Sequence, residues 1–190
     1  PTPYWVSYGD QVKMAEGVPV FVQAKEDNHF KVTVEQLEAA RTDKTKVLVL
    51  NSPSNPTGMI YTREELMAIG NWAVVHDVLI LADDIYGRLV YNGNEFVPIS
   101  SLSEAIRKQT IVINGVSKAY AMTGWRVGYA VGNPEIIAAM SKLTGQTTSN
   151  LTAVSQYATI EALTGPQDSV ETMRQAFEER LNTIYPLLCQ

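Results

Sequence analysis

The chain has 190 residues, of which 45% are hydrophobic and 18% charged, a composition that excludes intrinsic disorder. Its formal net charge is −5 and it has no basic run, so nucleic-acid binding is not expected. No apolar stretch approaches the roughly 18 residues that a membrane span needs. With Cys189 as the one cysteine, an internal disulfide and a cysteine-based metal site are excluded. We expect a cytoplasmic protein without a metal.

The first third of the chain alternates short apolar runs with a helical pattern. Residues 18–22 predict a strand. Thr33 and Gln36 have the spacing of a capping box and predict a helix that runs to about Arg41. Residues 47–50 form an apolar run that is too short for a helix, which predicts a strand buried on both faces.

The middle of the chain repeats this alternation. Thr62 and Glu65 form a second capping box. The helix after it, which ends near residues 76–77, carries one apolar face: Leu66, Ile69, Trp72 and Ala73. Residues 78–82 and 110–113 predict two further buried strands, and residues 127–131 predict another.

Helical patterns dominate the last third. Asn133 followed by Pro134 predicts a capped helix with proline at its first position. Asn150 is the expected cap of a second helix, which Gly165 ends, and a last helix is expected to start at Pro166.

This alternation of strands and helices predicts an α/β fold. We expect three layers, with a mostly parallel sheet covered by helices on both faces. In such sheets ligands bind outside the carboxyl ends of the strands. The residues that follow each strand are therefore the candidates for chemistry.

Polar residues do follow three of the predicted strands, and each has an ordinary structural explanation when taken alone. Asn55 lies in an Asn-Pro-Thr-Gly sequence, which is a good turn. Asp83 could be a helix-capping residue, and Lys118 could be a solvated surface lysine. Arg126 could form an ion pair at the surface. Trp5, near the start, suits a core position.

Taken together, these groups suit one cofactor, pyridoxal 5'-phosphate. It needs a lysine for a Schiff base and a carboxylate opposite its ring nitrogen. Its phenolate oxygen needs donors such as a tyrosine hydroxyl and an asparagine amide. Its phosphate needs a guanidinium together with hydroxyl or backbone donors, and an aromatic plane can cover its ring.

Three motifs carry a resemblance to a known family. They are Asn-Pro-Thr-Gly at 55–58, Asp-Asp-Ile-Tyr at 83–86, and the run from Ser117 to Tyr129 that contains Ser-Lys and Gly-Trp-Arg-Val-Gly. They resemble the class I/II aminotransferases of the aspartate aminotransferase type, which have the type I fold of pyridoxal-phosphate enzymes. The resemblance covers Pro1 to about Leu188, and the third motif is the most specific.

The resemblance implies a role for each matching residue. Lys118 would hold the cofactor as a Schiff base and then carry the proton between the substrate α-carbon and the cofactor. Asp83 would pair with the ring nitrogen. The other implied roles are hydrogen bonds from Tyr86 and Asn55 to the phenolate oxygen, phosphate contacts from Arg126 and Ser117, and stacking of Trp5 on the ring.

Two details of the backbone follow from the same resemblance. The Thr2–Pro3 and Asn55–Pro56 peptide bonds are expected to be cis. Many members of the family carry a phosphate-binding serine three residues before the lysine, and this chain has Gly115 at that position. A hydroxyl donor is therefore missing there.

The resemblance also implies binding groups that these residues do not include: a glycine-containing turn upstream, an arginine in a small C-terminal domain, and a tyrosine of the neighbouring subunit. We expect residues 1–165 to be the central part of an incomplete cofactor-binding large domain, and residues 166–190 a helix that leads towards the small domain. The full-length protein is expected to be a homodimer. Residues 1–190 alone are expected to be inactive and to self-associate.

The predicted function is transfer of an amino group from an amino acid to a 2-oxo acid, and two alternatives stay open. A carbon–sulfur β-lyase of the same fold would use the same cofactor, although such lyases often carry histidine where this chain has Tyr86. An aminotransferase-like sensor domain of a transcription regulator would follow a winged-helix segment. The sequence does not predict which amino acid is the substrate.

Overall fold

The computed structural model describes all residues 1–190 and has a four-stranded sheet at its centre. The strands are β1 (Val47–Asn51), β2 (Leu79–Asp83), β3 (Thr110–Gly115) and β4 (Gly128–Val131). They lie side by side in chain order. The first three run parallel, and β4 pairs antiparallel with β3. The predicted α/β fold with a mostly parallel sheet is confirmed.

Helices surround this sheet. They are α1 (Ser7–Met14), α2 (Val34–Ala40), α3 (Arg63–Val75), α4 (Glu104–Lys108), α5 (Pro134–Thr147), α6 (Ala153–Thr164) and α7 (Asp168–Leu188). Short 3-10 helices lie at Glu26–Asn28, Ile99–Ser101 and Thr123–Trp125. None of the helices combines the length and the apolar content that crossing a membrane would require.

Both predicted capping boxes are present. At α2, Gln36 N donates to Thr33 Oγ1 at 3.4 Å, and Thr33 N donates to Gln36 Oε1 at 2.9 Å. At α3, Glu65 N donates to Thr62 Oγ1 at 3.3 Å, and Thr62 N donates to Glu65 Oε2 at 2.7 Å. Each box satisfies two backbone N–H groups at a helix start. The predicted signals at Asn133, Pro134 and Gly165 are also confirmed.

The main hydrophobic core lies where α3 packs on β1 and β2. The predicted apolar face of α3 is buried there together with Leu48, Leu50, Ile80 and Ala82. The prediction that residues 47–50 are buried on both faces is wrong, because Val47 is 49% exposed. Alternate side chains of a strand point to opposite faces, and only one face of β1 is fully covered.

The predicted strand at residues 18–22 is absent. The nearest pairing is an isolated bridge between Thr2 and Gln23, and Val18 and Val20 are 86% and 60% exposed. A strand needs a neighbour that completes its backbone hydrogen bonds, and none of the four strands lies beside this segment. The apolar pattern alone was therefore not sufficient.

Two predicted helix starts are wrong by two residues. The cap of α6 is Thr152, whose hydroxyl accepts from the backbone N–H three residues on at 3.4 Å, whereas the Asn150 side chain accepts from its own neighbour. Helix α7 begins at Asp168 and not at Pro166. The Gln167 side chain donates to two carbonyls at the end of α6, at 3.0 and 2.8 Å, and this connection delays the helix.

Candidate active site

The carboxyl ends of the three parallel strands form one edge of the sheet. Asn51 at the end of β1 is in register with Asp83 at the end of β2, and Asp83 is in register with Ile113 of β3. The segments that follow these strands therefore emerge next to one another. Asn55, Asp83, Tyr86, Ser117 and Lys118 all lie at or after these strand ends.

The carboxylate of Asp83 is held by two neutral donors. Tyr8 Oη donates to Asp83 Oδ2 at 2.6 Å, and Ile85 N donates to Asp83 Oδ1 at 3.2 Å. No lysine, arginine or histidine of the chain forms a salt bridge with Asp83. The site thus presents an oriented anion without a cationic partner.

Asn51 ties the Asn55 turn to Asp83. Its Nδ2 donates to the carbonyl oxygen of Asp83, and its Oδ1 accepts from the backbone N–H of Asn55, both at 2.8 Å. Gly58 closes the turn with a φ of 71°, a conformation that glycine adopts without steric cost.

The predicted cis bonds at Thr2–Pro3 and Asn55–Pro56 are confirmed, and Ser52–Pro53 is cis as well.

Lys118 and Tyr86 face each other across the ends of β3 and β2. The Lys118 Nζ lies 5.6 Å from the centre of the Tyr86 ring. Lys118 is exposed and forms no salt bridge. Its amine is therefore accessible to a carbonyl compound, which a Schiff base requires.

Ser117 and Arg126 are connected through Thr123. The Thr123 hydroxyl donates to the carbonyl oxygen of Ser117 at 3.2 Å, and Arg126 Nη1 donates to the carbonyl oxygen of Thr123 at 3.0 Å. Arg126 is exposed, has a φ of 56°, and forms no salt bridge. Its other guanidinium donors are therefore available to an anion such as a phosphate.

Trp5 reaches this edge of the sheet through Tyr8. Trp5 lies just before α1 and is 42% exposed. Its ring meets that of Tyr8 edge to face, with 5.4 Å between the centres. Because Tyr8 donates a hydrogen bond to Asp83, the exposed indole of Trp5 belongs to the same cluster as the carboxylate.

The structure explains why glycine occupies position 115. A Cβ atom at Gly115 would lie 2.7 Å from the carbonyl oxygen of Val127 and 3.2 Å from the Cα atom of Gly128. The first distance is shorter than real Cβ contacts, so β3 and β4 approach too closely for a side chain here. A serine at this position would require the backbone to move.

Two groups near Asp83 have raised pKa values. Asp84 is only 7% exposed, and burial, followed by the neighbouring charge of Asp83, raises its pKa from 3.8 to about 7. Burial, and secondarily the bond to Asp83, raises the pKa of Tyr8 well above its ordinary value of 10.0. The Tyr8 phenol therefore keeps its proton and acts as a donor near neutral pH.

Sequence reasoning missed two residues of this cluster. Asn51 directly follows the apolar run of β1, so its place at the strand end was a usable signal. Tyr8 gave no such signal, because its importance rests on a contact with a residue 75 positions away.

The predicted residues form connected groups at one edge of the sheet. Asp83 is linked to Trp5 through Tyr8 and to Asn55 through Asn51, Lys118 faces Tyr86, and Ser117 is linked to Arg126. A free amine, an uncompensated carboxylate, a phenol and a free guanidinium fit pyridoxal 5'-phosphate. The individual roles of these residues stay predictions.

Comparisons with known proteins agree with this reading. Residues 1–189 match the family model described as aminotransferase class I and II. The asparagine–oxo-acid transaminase of Streptococcus mutans is 75% identical over 190 residues, which are 100% of this chain and 48% of that protein. The aspartate aminotransferase of Bacillus sp. strain YM-2 is 60% identical over 188 residues, 99% of this chain and 48% of that protein. The chain thus spans about half the length of the curated relatives it matches.

Solved structures give the same result. The aspartate aminotransferase of Rhizobium meliloti matches with a TM-score of 0.94 and 43% identity, over 97% of this chain and 46% of that one. The aromatic aminotransferase of Pyrococcus horikoshii OT3 matches with a TM-score of 0.94 and 36% identity, over 98% of this chain and 50% of that one. This chain belongs to the class I and II aminotransferase family.

Proposed function

We propose that the protein that carries this chain is a pyridoxal-phosphate-dependent aminotransferase, which moves an amino group from an amino acid to a 2-oxo acid. One observation carries the proposal: a carboxylate without a cationic partner, Asp83, lies at a strand end next to the strand that leads to the free amine of Lys118. A cationic ring and an aldehyde on one small molecule would satisfy both groups.

Lys118 is the proposed catalytic residue. Its amine would hold the cofactor at its aldehyde carbon, with loss of water, and in the complex with substrate the same amine would act as the general base that takes the α-proton. The cofactor, when bound, supplies an electron sink for the resulting carbanion. The centre of the Tyr86 ring lies 5.6 Å from Lys118 Nζ, which places the phenol and the amine on the same site.

The other predicted residues would hold the cofactor. Asp83 would pair with the protonated ring nitrogen, because its carboxylate is oriented but not neutralised by the chain. The remaining proposed contacts are those of Tyr86 and Asn55 with the phenolate oxygen, Arg126 and Ser117 with the phosphate, and Trp5 with the ring face. The free donors of Arg126 and the partial exposure of Trp5 support these assignments.

We also propose that residues 1–165 are the central part of the cofactor-binding domain and that residues 166–190 lead towards a small C-terminal domain. Helix α7 is anchored by Arg174 Nη1, which donates to the carbonyl oxygen of Val90 at 3.2 Å, and by Asn182, which is bonded to Asn92. Its last residues, by contrast, are uncovered, with Leu188 77% exposed. Exposed apolar side chains at the end of α7 support the proposal that this helix packs against a further domain.

A homodimer in the cytoplasm is part of the same proposal. Helix α6 carries an uncovered apolar row of Val154, Tyr157 and Ile160, which supports burial in a subunit interface. The single cysteine is free, in keeping with a reducing compartment. A role in amino acid metabolism follows from the proposed reaction.

For the substrate we propose aspartate or asparagine, because relatives 55 to 75% identical to this chain are named for those amino acids. The test is a transamination panel of aspartate, asparagine, alanine and aromatic amino acids, each with 2-oxoglutarate. Activity with the first two that disappears in Lys118→Ala is the expected result. Release of pyruvate from cystathionine without any 2-oxo acid would instead favour the β-lyase.

A further inference from the structure

We propose that Tyr8 is a positioning residue that fixes the Asp83 carboxylate for its pairing with the ring nitrogen of the cofactor. The inference rests on the proposed function, since it concerns the same site. It adds a residue that the sequence motifs did not point to, on a helix that the sequence did not predict.

Two donors fix the orientation of the Asp83 carboxylate. Tyr8 Oη donates to one oxygen at 2.6 Å, and the N–H of Ile85 donates to the other at 3.2 Å. An ionised carboxylate offers about four lone-pair sites, so these bonds fix its plane and still leave acceptor sites free. Without the phenol, the Ile85 N–H alone would hold the group, and rotation about the side-chain bonds would be less restricted.

Tyr8 orients the Asp83 carboxylate without adding a positive charge beside it. A lysine or arginine in the place of Tyr8 would orient Asp83 but would also compensate its negative charge. A phenol that keeps its proton orients the carboxylate and leaves that charge available to a cationic ring. The raised pKa of Tyr8 is in keeping with this donor role.

One short segment, from Trp5 to Tyr8, positions two parts of the site. The backbone N–H of Tyr8 donates to the carbonyl oxygen of Trp5 at 3.1 Å, and the two rings meet edge to face at 5.4 Å. The position of α1 therefore fixes the exposed indole and the carboxylate relative to each other. A ring bound between them would meet both in a defined geometry.

The test uses Tyr8→Phe in the full-length protein that carries this chain. This variant keeps the ring packing on Trp5 and removes only the hydroxyl. Tyr4→Phe is the matched control, because the Tyr4 ring stacks on that of Phe21, with 5.1 Å between the centres, and Tyr4 is not the donor to Asp83. Dissociation constants are measured by tryptophan fluorescence for pyridoxal phosphate and for its 1-deaza analogue, in which a C–H replaces the ring nitrogen.

We expect Tyr8→Phe to raise the dissociation constant of pyridoxal phosphate about tenfold. This is the size of effect expected from losing one hydrogen bond to a charged group, which here acts on the cofactor through Asp83. Binding of the deaza analogue should change by less than about twofold, because this ligand has no ring nitrogen for Asp83 to pair with. Tyr4→Phe should alter neither constant.

Equal weakening of both ligands by Tyr8→Phe would overturn the inference, because a general folding defect affects both alike. Unchanged binding of pyridoxal phosphate would overturn it as well. Wild-type protein that binds neither ligand would overturn the proposed function itself, and the inference with it.

Discussion

Asp84 is the buried carboxyl group from which we expect a pH-dependent loss of stability. It is 7% exposed, shares a small cavity wall with Leu50, Leu66 and Val97, and forms no salt bridge. Burial, and secondarily the charge of Asp83, raises its pKa from 3.8 to about 7. Asp84→Asn keeps the size of the side chain and removes its titration.

The sign follows from comparing the folded and unfolded states. The pKa of Asp84 is higher in the folded state, so between about pH 4 and 7 the folded protein holds a proton that the unfolded chain has lost. The free energy of unfolding therefore falls as the pH rises through this window. A pKa shift of one unit is worth about 1.4 kcal/mol. The rise of the pKa from 3.8 to about 7 therefore lowers the free energy of unfolding above pH 7 by about 4 kcal/mol, compared with a pH below about 4.

The assay is urea unfolding of wild type and Asp84→Asn between about pH 5 and pH 8. The free energy of unfolding of the variant minus that of wild type should increase by about 2 to 3 kcal/mol from about pH 5 to pH 8. It increases by less than the full amount of about 4 kcal/mol because wild type has already lost part of this stability by about pH 5. Asp27→Asn, which removes an exposed carboxylate, is the control and should show no such trend. A difference between Asp84→Asn and wild type that stays flat, or that shrinks with rising pH, would refute the reasoning.

Two further predictions concern stability. Thr62→Ala removes the hydroxyl that caps α3 and should lower the free energy of unfolding by about 1 kcal/mol in urea unfolding; unchanged stability would contradict the role of the capping box. Gly115→Ser places a Cβ 2.7 Å from the carbonyl oxygen of Val127 and should cost about 1 to 3 kcal/mol. Gly124→Ser, where a Cβ meets nothing within 4 Å, should stay within about 0.5 kcal/mol, and equal costs at both glycines would contradict the steric argument.

Local sequence patterns predicted most of the elements that carry the site. The capping boxes at Thr33 and Thr62 and the apolar runs of β1, β2 and β3 depend on contacts within a few residues. Once the strands are parallel, their carboxyl ends must share one edge. The sequence therefore also predicted which polar residues come together.

What the sequence did not predict depends on distant partners. Residues 18–22 have a strand-like composition, but strand pairing needs a neighbour, and the structure has none beside them. Helix α1 is eight residues long, and it contributes to the site through the ring contact of Tyr8 with Trp5 and through the hydrogen bond from Tyr8 to Asp83, which is 75 positions away. Such a contact exists only after the chain has folded.

The most direct test of the account is to locate the residue that binds pyridoxal phosphate. Full-length protein is incubated with the cofactor, reduced with borohydride and digested, and the labelled peptide is identified by mass spectrometry. We predict a single label on Lys118 that is lost in Lys118→Ala and retained in Lys142→Ala, a variant of an exposed lysine on α5. A label on another lysine, or none on Lys118, would contradict the proposed active site.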